Sequence, residues 1–571
     1  MKRMIAFFLA AAMLTVGCAT VKTDGETAQA TAADTAQSVE TSETLTGRIE
    51  SIDENGLTLS VMPARPGDGR PGQGGTPPEM PADGQGMPQG ETKELTFADG
   101  VTFLDENGGA IDRSALKTGD MATVALDANG AVVSVAKAAA NGGMPEANGQ
   151  GGPQNGPGGS APDEYTAVSA YAEDAAIANE RITSTGTDEN AILVDSGAAV
   201  SVTDSEITRT SSDSTGGDSA SFYGVGAALL VTDGTLTVDN STITTDASGG
   251  AGVFAYGSGV ANVTDTEIRT TQGASGGLHV AGGGTLTASN CTVETDGGSS
   301  AAIRSDRGGG TMAIDGGSYT ANGTGSPAIY CTADITVSNA TLSAAGSEAV
   351  CIEGKNSLTL SDCTLCGNMP ENAQNDCTWT VILYQSMSGD SEIGTSKFTM
   401  TGGTLESKNG GVFYTTNTAS EFRIENVSLV YAEDCPFLFK CTGNANARGW
   451  GQSGQNGADS SFTAVGQIME HDIVWDSIST LTVSLERGTV WSGAFVQDES
   501  NAGGGGPGTA ALTGDERSTW IVTGDSVLTT LVNHGTITDP DGNSVTIRSA
   551  SGETLFAGTG LYTVTVSTYE G

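Results

Sequence analysis

The sequence predicts an all-β protein whose main part winds as a parallel β-solenoid. The first observation is a repeat, in which one apolar residue recurs every 23 to 26 residues; a period of this length marks a repeat architecture. The second is an alternation with a period of two inside each unit, where Thr, Val and Ile dominate, as strands prefer. The repeated apolar residues are Ile243, Ile268, Val293, Tyr319, Leu342 and Leu365.

The length of the unit decides how its strands are arranged. A repeat of about 25 residues has room for about three strands of roughly 3–6 residues and the turns between them. No strand has a near neighbour that returns as a hairpin and keeps the repeat. Each unit is therefore expected to wind once and to stack in parallel on the previous one, about 4.8 Å away.

A third observation concerns the corners of this coil. The residue three positions before each repeated apolar residue is Asn, Asp or Gly, and these residues tolerate the left-handed backbone of a sharp corner. The corner column consists of Asn240, Asp265, Asn290, Gly316, Asn339 and Asp362, with Asp204 in the same position before Ile207 upstream. Such a corner between short strands resembles the right-handed parallel β-helix of the pectate-lyase-like superfamily, over residues 191–430 and more loosely to Gly571.

The first 18 residues have the pattern of a secretion signal, because Lys2 and Arg3 precede a mostly apolar stretch at 4–16. The end of this segment resembles a bacterial lipoprotein cleavage box, with Cys18 as the residue that carries the lipid. An ordinary secretory signal is the alternative. Two or more acyl chains hold a protein stably on a membrane, so we expect an extracytoplasmic, membrane-anchored lipoprotein at the bacterial cell surface.

Three further segments precede the solenoid. Residues 19–41 are rich in Ala, Thr, Glu and Ser and are predicted to form a disordered tether. Residues 42–137 alternate around Asn-Gly turns, which predicts a small β-barrel-like domain of five or six strands. A Pro- and Gly-rich insertion within it, 62–91, is predicted to be a flexible loop, and residues 138–162 of similar composition form a predicted linker.

The β-helix is predicted to occupy residues 163–571. Its first coils are irregular, as capping repeats usually are, and a Ser/Asp/Gly loop at 211–221 is inserted between coils. Larger insertions are expected at 369–376 and 387–395. From about residue 435 the period breaks, which predicts a bulkier, irregular C-terminal cap with its own core.

The net charge of the chain limits the classes of partner that it can bind. Acidic residues outnumber basic ones by 68 to 24, which gives a net charge of −44. Like charges repel, so nucleic acid and anionic membrane surfaces are disfavoured, and the lipid anchor is the expected membrane contact. The plainest meaning of the acidity is a solvated surface. The sequence predicts no cofactor, but it does not exclude binding of Ca²⁺. It also does not determine the oligomeric state.

Eight cysteines follow Cys18. Cys291 and Cys363 are predicted to point inward in one column, three coils apart and therefore too far apart to bridge. Cys366 and Cys377 bracket a short insertion and are left as a candidate disulfide pair. The spacing of the cysteines does not match a zinc site.

The superfamily that the repeat resembles includes polysaccharide lyases and polygalacturonases. The Asn-Thr-Asp, Asp-Asp, Gly-His-Gly and Arg-Ile-Lys segments of those hydrolases do not occur here, nor does the Arg-x-Pro-x-x-Arg segment of calcium-dependent lyases. With three histidines, the chain has little to offer general acid/base catalysis. We therefore predict no catalytic residues. The exception would be a pair of carboxylates from different coils that lie close together in the folded protein.

One outward-facing column differs from the others because it carries aromatic and charged residues. Aromatic rings stack on sugar rings and polar neighbours orient hydroxyl groups, so an exposed stripe of this kind indicates a ligand-binding surface. The alternative is that the linker or a loop such as 211–221 covers this face. The predicted stripe consists of Phe254, Tyr256, His279, Arg304, Asp306, Tyr330, Glu353 and Tyr384.

Together these observations predict a lipid-anchored surface protein that binds a polysaccharide, or another host or cell-surface polymer, without turnover. The chain resembles the β-helix surface lipoproteins of anaerobic Gram-positive bacteria, which implies an adhesin or carbohydrate-binding role, with Ca²⁺ bound in some relatives. One alternative is a polysaccharide lyase or glycoside hydrolase, which convergent carboxylates beside a basic residue would favour. The other is a structural spacer or protein-binding adhesin.

Overall fold

The chain divides into two compact units, Met1–Gly149 and Gln150–Gly571. The predicted signal with Cys18, the tether at 19–41, and nearly all of the insertion at 62–91 and the linker at 138–162 lie outside the described residues. A computed structural model describes residues 43–52, 56–61, 91–104, 111, 113, 116, 121–126, 131–137, 161–162, 164–386 and 389–571.

The first unit is a closed β-barrel, which confirms the predicted small barrel. Its strands are β1 (Glu43–Ile52), β2 (Gly56–Val61), β3 (Glu91–Leu104), β4 (Met121–Leu126) and β5 (Val132–Lys137). They pair in the order β1-β2-β3-β5-β4, and β4 closes onto β1. The alternating apolar side chains meet inside the barrel, where Leu59, Val124 and Val132 are fully buried.

The second unit is a coil of parallel strands that stack on three faces. The repeated apolar residues lie in register on the third face: Ile243 pairs with Ile268, and Ile268 pairs with Val293. The same pairing continues coil by coil to Leu365, and these side chains are buried. The predicted parallel β-helix is confirmed, because only stacked coils place residues 23 to 26 positions apart side by side.

The first face contains the strand that opens each coil, and two of its strands bend around a corner and continue into the second face. Its strands are Ala167–Tyr171, Asn190–Val194, Leu229–Asp239, Val253–Thr264, Leu278–Ala281, Ile303–Ser305, Ile329–Cys331, Val350–Glu353, Trp379–Tyr384, Gly411–Thr416, Phe439–Cys441, Ile473–Trp475 and Phe495–Gln497.

The second face shares the two bent strands and follows the first face in every coil. Its other strands are Ala175–Ala178, Ala199–Thr203, Gly284–Ser289, Gly310–Asp315, Asp334–Ser338, Ser357–Ser361, Thr395–Thr401, Ala419–Glu425, Asp459–Val465, Thr480–Glu486, Thr509–Gly514, Thr530–Asn533 and Thr568–Glu570.

The third face closes each coil. Its strands are Arg181–Ser184, Glu206–Ser211, Thr242–Ala247, Glu267–Thr270, Thr292–Thr295, Ser318–Ala321, Thr341–Ala344, Thr364–Gly367, Thr404–Ser407 and Ser428–Val430. Two short sheets follow towards the end of the chain: Ile468–Glu470, Val490–Gly493, Thr519–Val522 and Thr536–Thr538 form one, and Ser526–Val527, Thr546–Ser549, Thr554–Phe556 and Thr563–Val566 form the other.

Every residue of the predicted corner column has a left-handed backbone, with φ between 43° at Asn240 and 70° at Gly316. Most L residues are strained in this conformation, and Gly, Asn and Asp are the least so. Side chains also link corners of neighbouring coils, because Asn240 Nδ2 donates to Asp204 Oδ1 at 2.5 Å. The corner prediction is therefore confirmed.

One apolar core runs through the second unit, from Ile177 to Val566. The coil continues beyond residue 435, since Phe439 pairs with Phe413 before it and with Ile473 after it. The cap therefore does not have the separate core that the sequence predicts. Its strands keep the inward alternation although the loops between them lengthen.

Inserted segments lie over the first face. One contains the α-helix found among the described residues, α1 (Gly217–Tyr223), which ends at the left-handed Gly224. The other follows strand Trp379–Tyr384 and is described at residues 385–386 and 389–394; we call these residues the 385–394 loop. No helix in the described part of the chain is long and apolar enough to cross a membrane.

Candidate functional site

The predicted stripe residues do share the first face. Phe254 pairs with His279, His279 with Arg304, and Arg304 with Tyr330 in successive coils. Glu353 pairs with Tyr384 in the same way further along the face. The period of the repeat therefore brings these side chains together as the sequence predicts.

The stripe is not exposed, and this corrects the prediction. The physical reason is that inserted segments cover this part of the first face: α1, the 385–394 loop and the segment that carries Trp450. The alternative based on the loop at 211–221 anticipated such a cover. The buried members are Phe254, His279, Asp306, Glu353 and Tyr384, none more than 7% exposed, and the partly buried members are Tyr256, Arg304 and Tyr330. A flat aromatic stripe is thus not available to a polymer.

The α1 segment packs directly on the first part of the stripe. A Cβ built on Gly224 would lie 2.6 Å from Leu230 Cδ1 and 2.9 Å from the ring of Phe254, so only glycine fits there. The rings of Tyr223 and Tyr256 meet edge to face with centres 5.6 Å apart. These contacts enclose a small apolar cluster outside the core of the coil.

A buried ionic network lies next to this cluster. Asp306 Oδ2 accepts hydrogen bonds from His279 Nε2 at 2.9 Å and from Arg304 Nε at 2.7 Å. Burial alone would raise the pKa of Asp306, but Arg304 and His279 outweigh it and hold the pKa below its usual range. Burial lowers the pKa of His279 to about 4 in spite of Asp306. At neutral pH the network is therefore an Asp–Arg ion pair with a neutral imidazole.

Arg304 also connects the first face to α1, which covers it. Its Nη2 donates to Ser221 Oγ of α1 at 3.0 Å, and its Nη1 donates to the carbonyl oxygens of Ala274 and Ser299, both at 3.0 Å. The guanidinium thus has partners on all three nitrogens. Its positive charge is compensated before any ligand binds.

A second carboxyl group is buried further along the face. Glu353 Oε2 accepts hydrogen bonds from the hydroxyls of Tyr330 at 2.9 Å and Tyr384 at 3.0 Å, and Oε1 accepts one from Ser386. Burial raises the pKa of Glu353, and the three hydroxyls oppose this only in part. The environments of Asp306 and Glu353 therefore shift the two pKa values in opposite directions.

An open groove of about 310 Å³ lies between α1 and the 385–394 loop. Arg307 connects its two sides, because its guanidinium lies 4.1 Å from the ring centre of Phe222 and its Nη2 donates to Asp390 Oδ1 at 2.6 Å. The groove is lined by Asp218, Ser221, Phe222, Ser299, Ala301, Arg304, Asp306, Gly325, Pro327, Tyr330 and Asp390. Pockets of this size accommodate small organic ligands.

Of the predicted stripe, the groove contains Arg304, Asp306 and Tyr330. Sequence reasoning missed Phe222 and the other lining residues from the inserted segments, because insertions do not follow the repeat. The pair Phe222-Tyr223 in a Ser/Asp/Gly-rich insertion is the signal that could have found them.

The described residues offer no ready metal site. Among them, no group of three His, Cys, Asp or Glu side chains is placed to hold a metal ion. The eight cysteines after Cys18 are free thiols, including Cys366 and Cys377, which the sequence left as a candidate pair. Cys291 and Cys363 are fully buried in the core, as predicted.

Comparison with known proteins supports the fold. A family model described as the right-handed β-helix region matches residues 190–429. With the parallel coils, this match shows that the second unit is a right-handed parallel β-helix. A search of curated proteins found no match.

Proposed function

We propose that this chain is a lipid-anchored surface protein that binds a neutral polysaccharide, without turnover, in the groove between α1 and the 385–394 loop. The observation that carries the proposal is the groove itself, an open depression beside α1 on the first face, with the partly exposed ring of Tyr330 beside polar groups. Aromatic surface next to oriented polar groups is the combination that holds sugar rings.

The rigidity of the groove floor supports binding. Arg304 and Asp306 are held by each other and by Ser221, and Tyr330 is held by Glu353. Side chains that are already ordered lose little entropy when a ligand arrives, which favours affinity.

The charges around the groove favour a neutral ligand. Arg304 is already compensated, while Asp218 and Asp390 lie on the two walls. A uronic acid chain would bring further negative charge to this surface, in a protein with a net charge of −44. Neutral hexose or N-acetylhexosamine polymers do not meet this repulsion.

Filling the groove should weaken binding of the polymer. Asp218→Trp in the full chain places an indole at the wall of the groove, and we expect at least an approximately tenfold loss of affinity by steric exclusion. The measurement is binding to an array of neutral and acidic polysaccharides, followed by calorimetry with the strongest ligand.

Glu267→Trp is the matched control, because it makes a similar change of charge and size at an exposed position on the third face. It should alter the affinity by no more than about twofold. Equal losses in both variants would contradict the groove as the site. If no polysaccharide binds, the remaining candidate functions are a structural spacer and a protein-binding adhesin.

Hydrolysis is the second candidate function, and the opposed pKa shifts of Asp306 and Glu353 favour it. The two residues are two coils apart, about 10 Å at roughly 4.8 Å per coil, close to the carboxylate separation of inverting glycosidases. Binding ranks first because Glu353 is buried and does not line the groove. Release of sugar ends in the binding assay, lost in Glu353→Gln, would establish hydrolysis instead.

The proposed anchor depends on Cys18. We expect Cys18→Ser, expressed as the full chain in a Gram-positive host, to lose a metabolically incorporated fatty-acid label and to leave the membrane fraction, because Ser does not accept the lipid that Cys carries. Label and membrane association are measured together, with Cys291→Ser as the control. Lipidation at Cys18 would be contradicted if Cys18→Ser kept the fatty-acid label, or if the unaltered protein did not carry it.

A further inference from the structure

A second cavity lies beneath two other insertions of the first face. It is small, about 10 Å³, which is the space that one water molecule occupies. The segment 369–378 forms one wall, and the glycine-rich segment 444–456 closes it from above. We call the second segment the 444–456 lid. The cavity is lined by Gln374, Asn375, Asp376, Trp379, Tyr414, Asn444, Asn446, Ala447, Arg448 and Trp450.

Aromatic rings surround this cavity on several sides. The ring centre of Trp379 lies 5.2 Å from that of Tyr414 and 6.3 Å from that of Trp450. Trp450 also packs on Tyr384, with ring centres 4.4 Å apart. The register of strand Gly411–Thr416 pairs Ile382 with Tyr414, so Tyr414 continues the column of the predicted stripe.

Four polar atoms of the lining residues are buried without a hydrogen-bond partner: Trp379 Nε1, Asn375 Nδ2, Asn446 Oδ1 and the Tyr414 hydroxyl. Trp379 is only 3% exposed, so its indole N–H has no access to bulk solvent. An unpaired buried donor or acceptor costs free energy, and such groups are rare in native proteins. Two donors, one acceptor and one hydroxyl, which can do both, surround a single cavity and therefore indicate a polar molecule that belongs there.

The ends of the lid, Asn444 and Asn456, are buried and hydrogen-bonded to Thr416, whereas its middle is held by polar contacts that water can replace. Ala445 N donates to Asp376 Oδ2 at 2.8 Å, and Arg448 Nε donates to Asn375 Oδ1. Trp450 is the large apolar side chain in a lid otherwise made of Gly, Asn, Gln, Ser, Ala and Arg. Its packing on Trp379 and Tyr384 is thus the main apolar contribution to closure.

We propose that this aromatic cavity is a saccharide site that takes a single neutral sugar ring when the 444–456 lid opens. Trp379, Tyr414 and Trp450 would contact the C–H faces of the ring. The unpaired donors on Trp379 and Asn375 and the acceptor on Asn446 would bond its hydroxyls, which both donate and accept. The site does not depend on the groove as the binding site for the polymer.

The chemistry of the wall favours a sugar over other ring-shaped ligands. An aromatic compound would pack on the rings but leave the polar atoms unpaired. A phosphorylated ligand would meet Asp376 and a net charge of −44, which Arg448, the one basic lining residue, offsets only locally. A polyol ring satisfies both the rings and the polar atoms. The cavity lies two coils beyond the groove, and Tyr384 and Tyr330 meet at Glu353 between them.

The test is calorimetry of the full chain with glucose, galactose, mannose and N-acetylglucosamine, each titrated separately. We expect one of them to bind with a Kd of about 1 mM, as the size of the ligand suggests. Trp379→Phe keeps a ring but removes the unpaired N–H, and Asn446→Gly keeps the left-handed backbone (φ 61°) but removes the acceptor. Each should weaken binding about tenfold.

Two controls separate this site from general damage and from the groove. Asn426→Gly makes the same change as Asn446→Gly at an exposed corner with a φ of 53°, and it should leave the affinity unchanged. Asp218→Trp blocks the groove and should also leave binding of the single sugar unchanged. Amide hydrogen exchange in the 444–456 lid should slow when the sugar is bound.

Failure of all four sugars to bind would overturn the proposal, as would a crystal structure of the protein soaked in sugar that contains only one ordered water in the cavity. Binding that Asp218→Trp removes, and that Trp379→Phe and Asn446→Gly leave unchanged, would also overturn it, because the sugar would then occupy the groove. If the unaltered protein binds the single sugar but no polysaccharide, the groove is not a polymer site and the cavity site stands.

Discussion

Replacing Asp306 with asparagine should lower the free energy of unfolding of the β-helix by about 3–5 kcal/mol, the cost of breaking a buried ion pair by removing one partner. The carboxylate is 4% exposed and accepts hydrogen bonds from both Arg304 and His279. Asparagine leaves the guanidinium charge buried without a counter-ion. The neutral amide also places an NH₂ group where one of these donors needs an acceptor.

The measurement is equilibrium denaturation in guanidinium chloride, followed by far-ultraviolet circular dichroism. Asp296→Asn is the matched control, because Asp296 also pairs with an arginine, Arg269, at 2.7 Å, but on the exposed third face. Exposed pairs contribute at most about 1 kcal/mol. If both variants lose the same small amount, the buried network does not stabilise the protein as we infer.

The same network should also make the protein less stable in mild acid. Because burial lowers the pKa of His279 from 6.5 in the unfolded chain to about 4, the unfolded state binds the proton more readily between these values. The stabilisation is complete above pH 6.5, falls as the pH decreases towards 4, and does not fall further below that value. A pKa difference of this size between the folded and unfolded states corresponds to about 3 kcal/mol of free energy of unfolding.

Denaturation at pH 7, 5.5 and 4 tests this expectation. His279→Gln retains an amide donor for Asp306 but does not titrate, so the difference between the variant and the unaltered protein isolates the imidazole. The unaltered protein should lose about 3 kcal/mol more than the variant over this range. His471→Gln, at a partly exposed position outside the network, is the control. A parallel pH dependence in the unaltered protein and His279→Gln would refute the assignment.

Much of the fold could be predicted from the sequence, because the same residue pattern recurs in every coil and each recurrence supports the same prediction. The column that runs from Ile243 to Leu365 pairs in register, and the Asn/Asp/Gly corners all have left-handed backbones. The barrel was recognised from its alternating strands and turns. The cap was predicted less well, since Phe439 and Ile473 continue the coil although longer loops hide the period.

The candidate site was predicted only in part. The repeat correctly placed Phe254, His279, Arg304 and Tyr330 on one face, because register follows from the period. Their exposure was predicted wrongly, since alternation shows which side of a strand a residue faces but not what lies above it.

The sequence by itself determined the parallel coil, its corners and its inward column, because each follows from local rules repeated every 23 to 26 residues. Only the tertiary structure decided which outward residues meet solvent. The segments around Phe222, Asp390 and Trp450 have no period, and their positions depend on contacts with residues distant in the chain, such as Ser221 with Arg304. Those long-range contacts convert a flat stripe into a groove, a buried ionic network and a closed aromatic cavity.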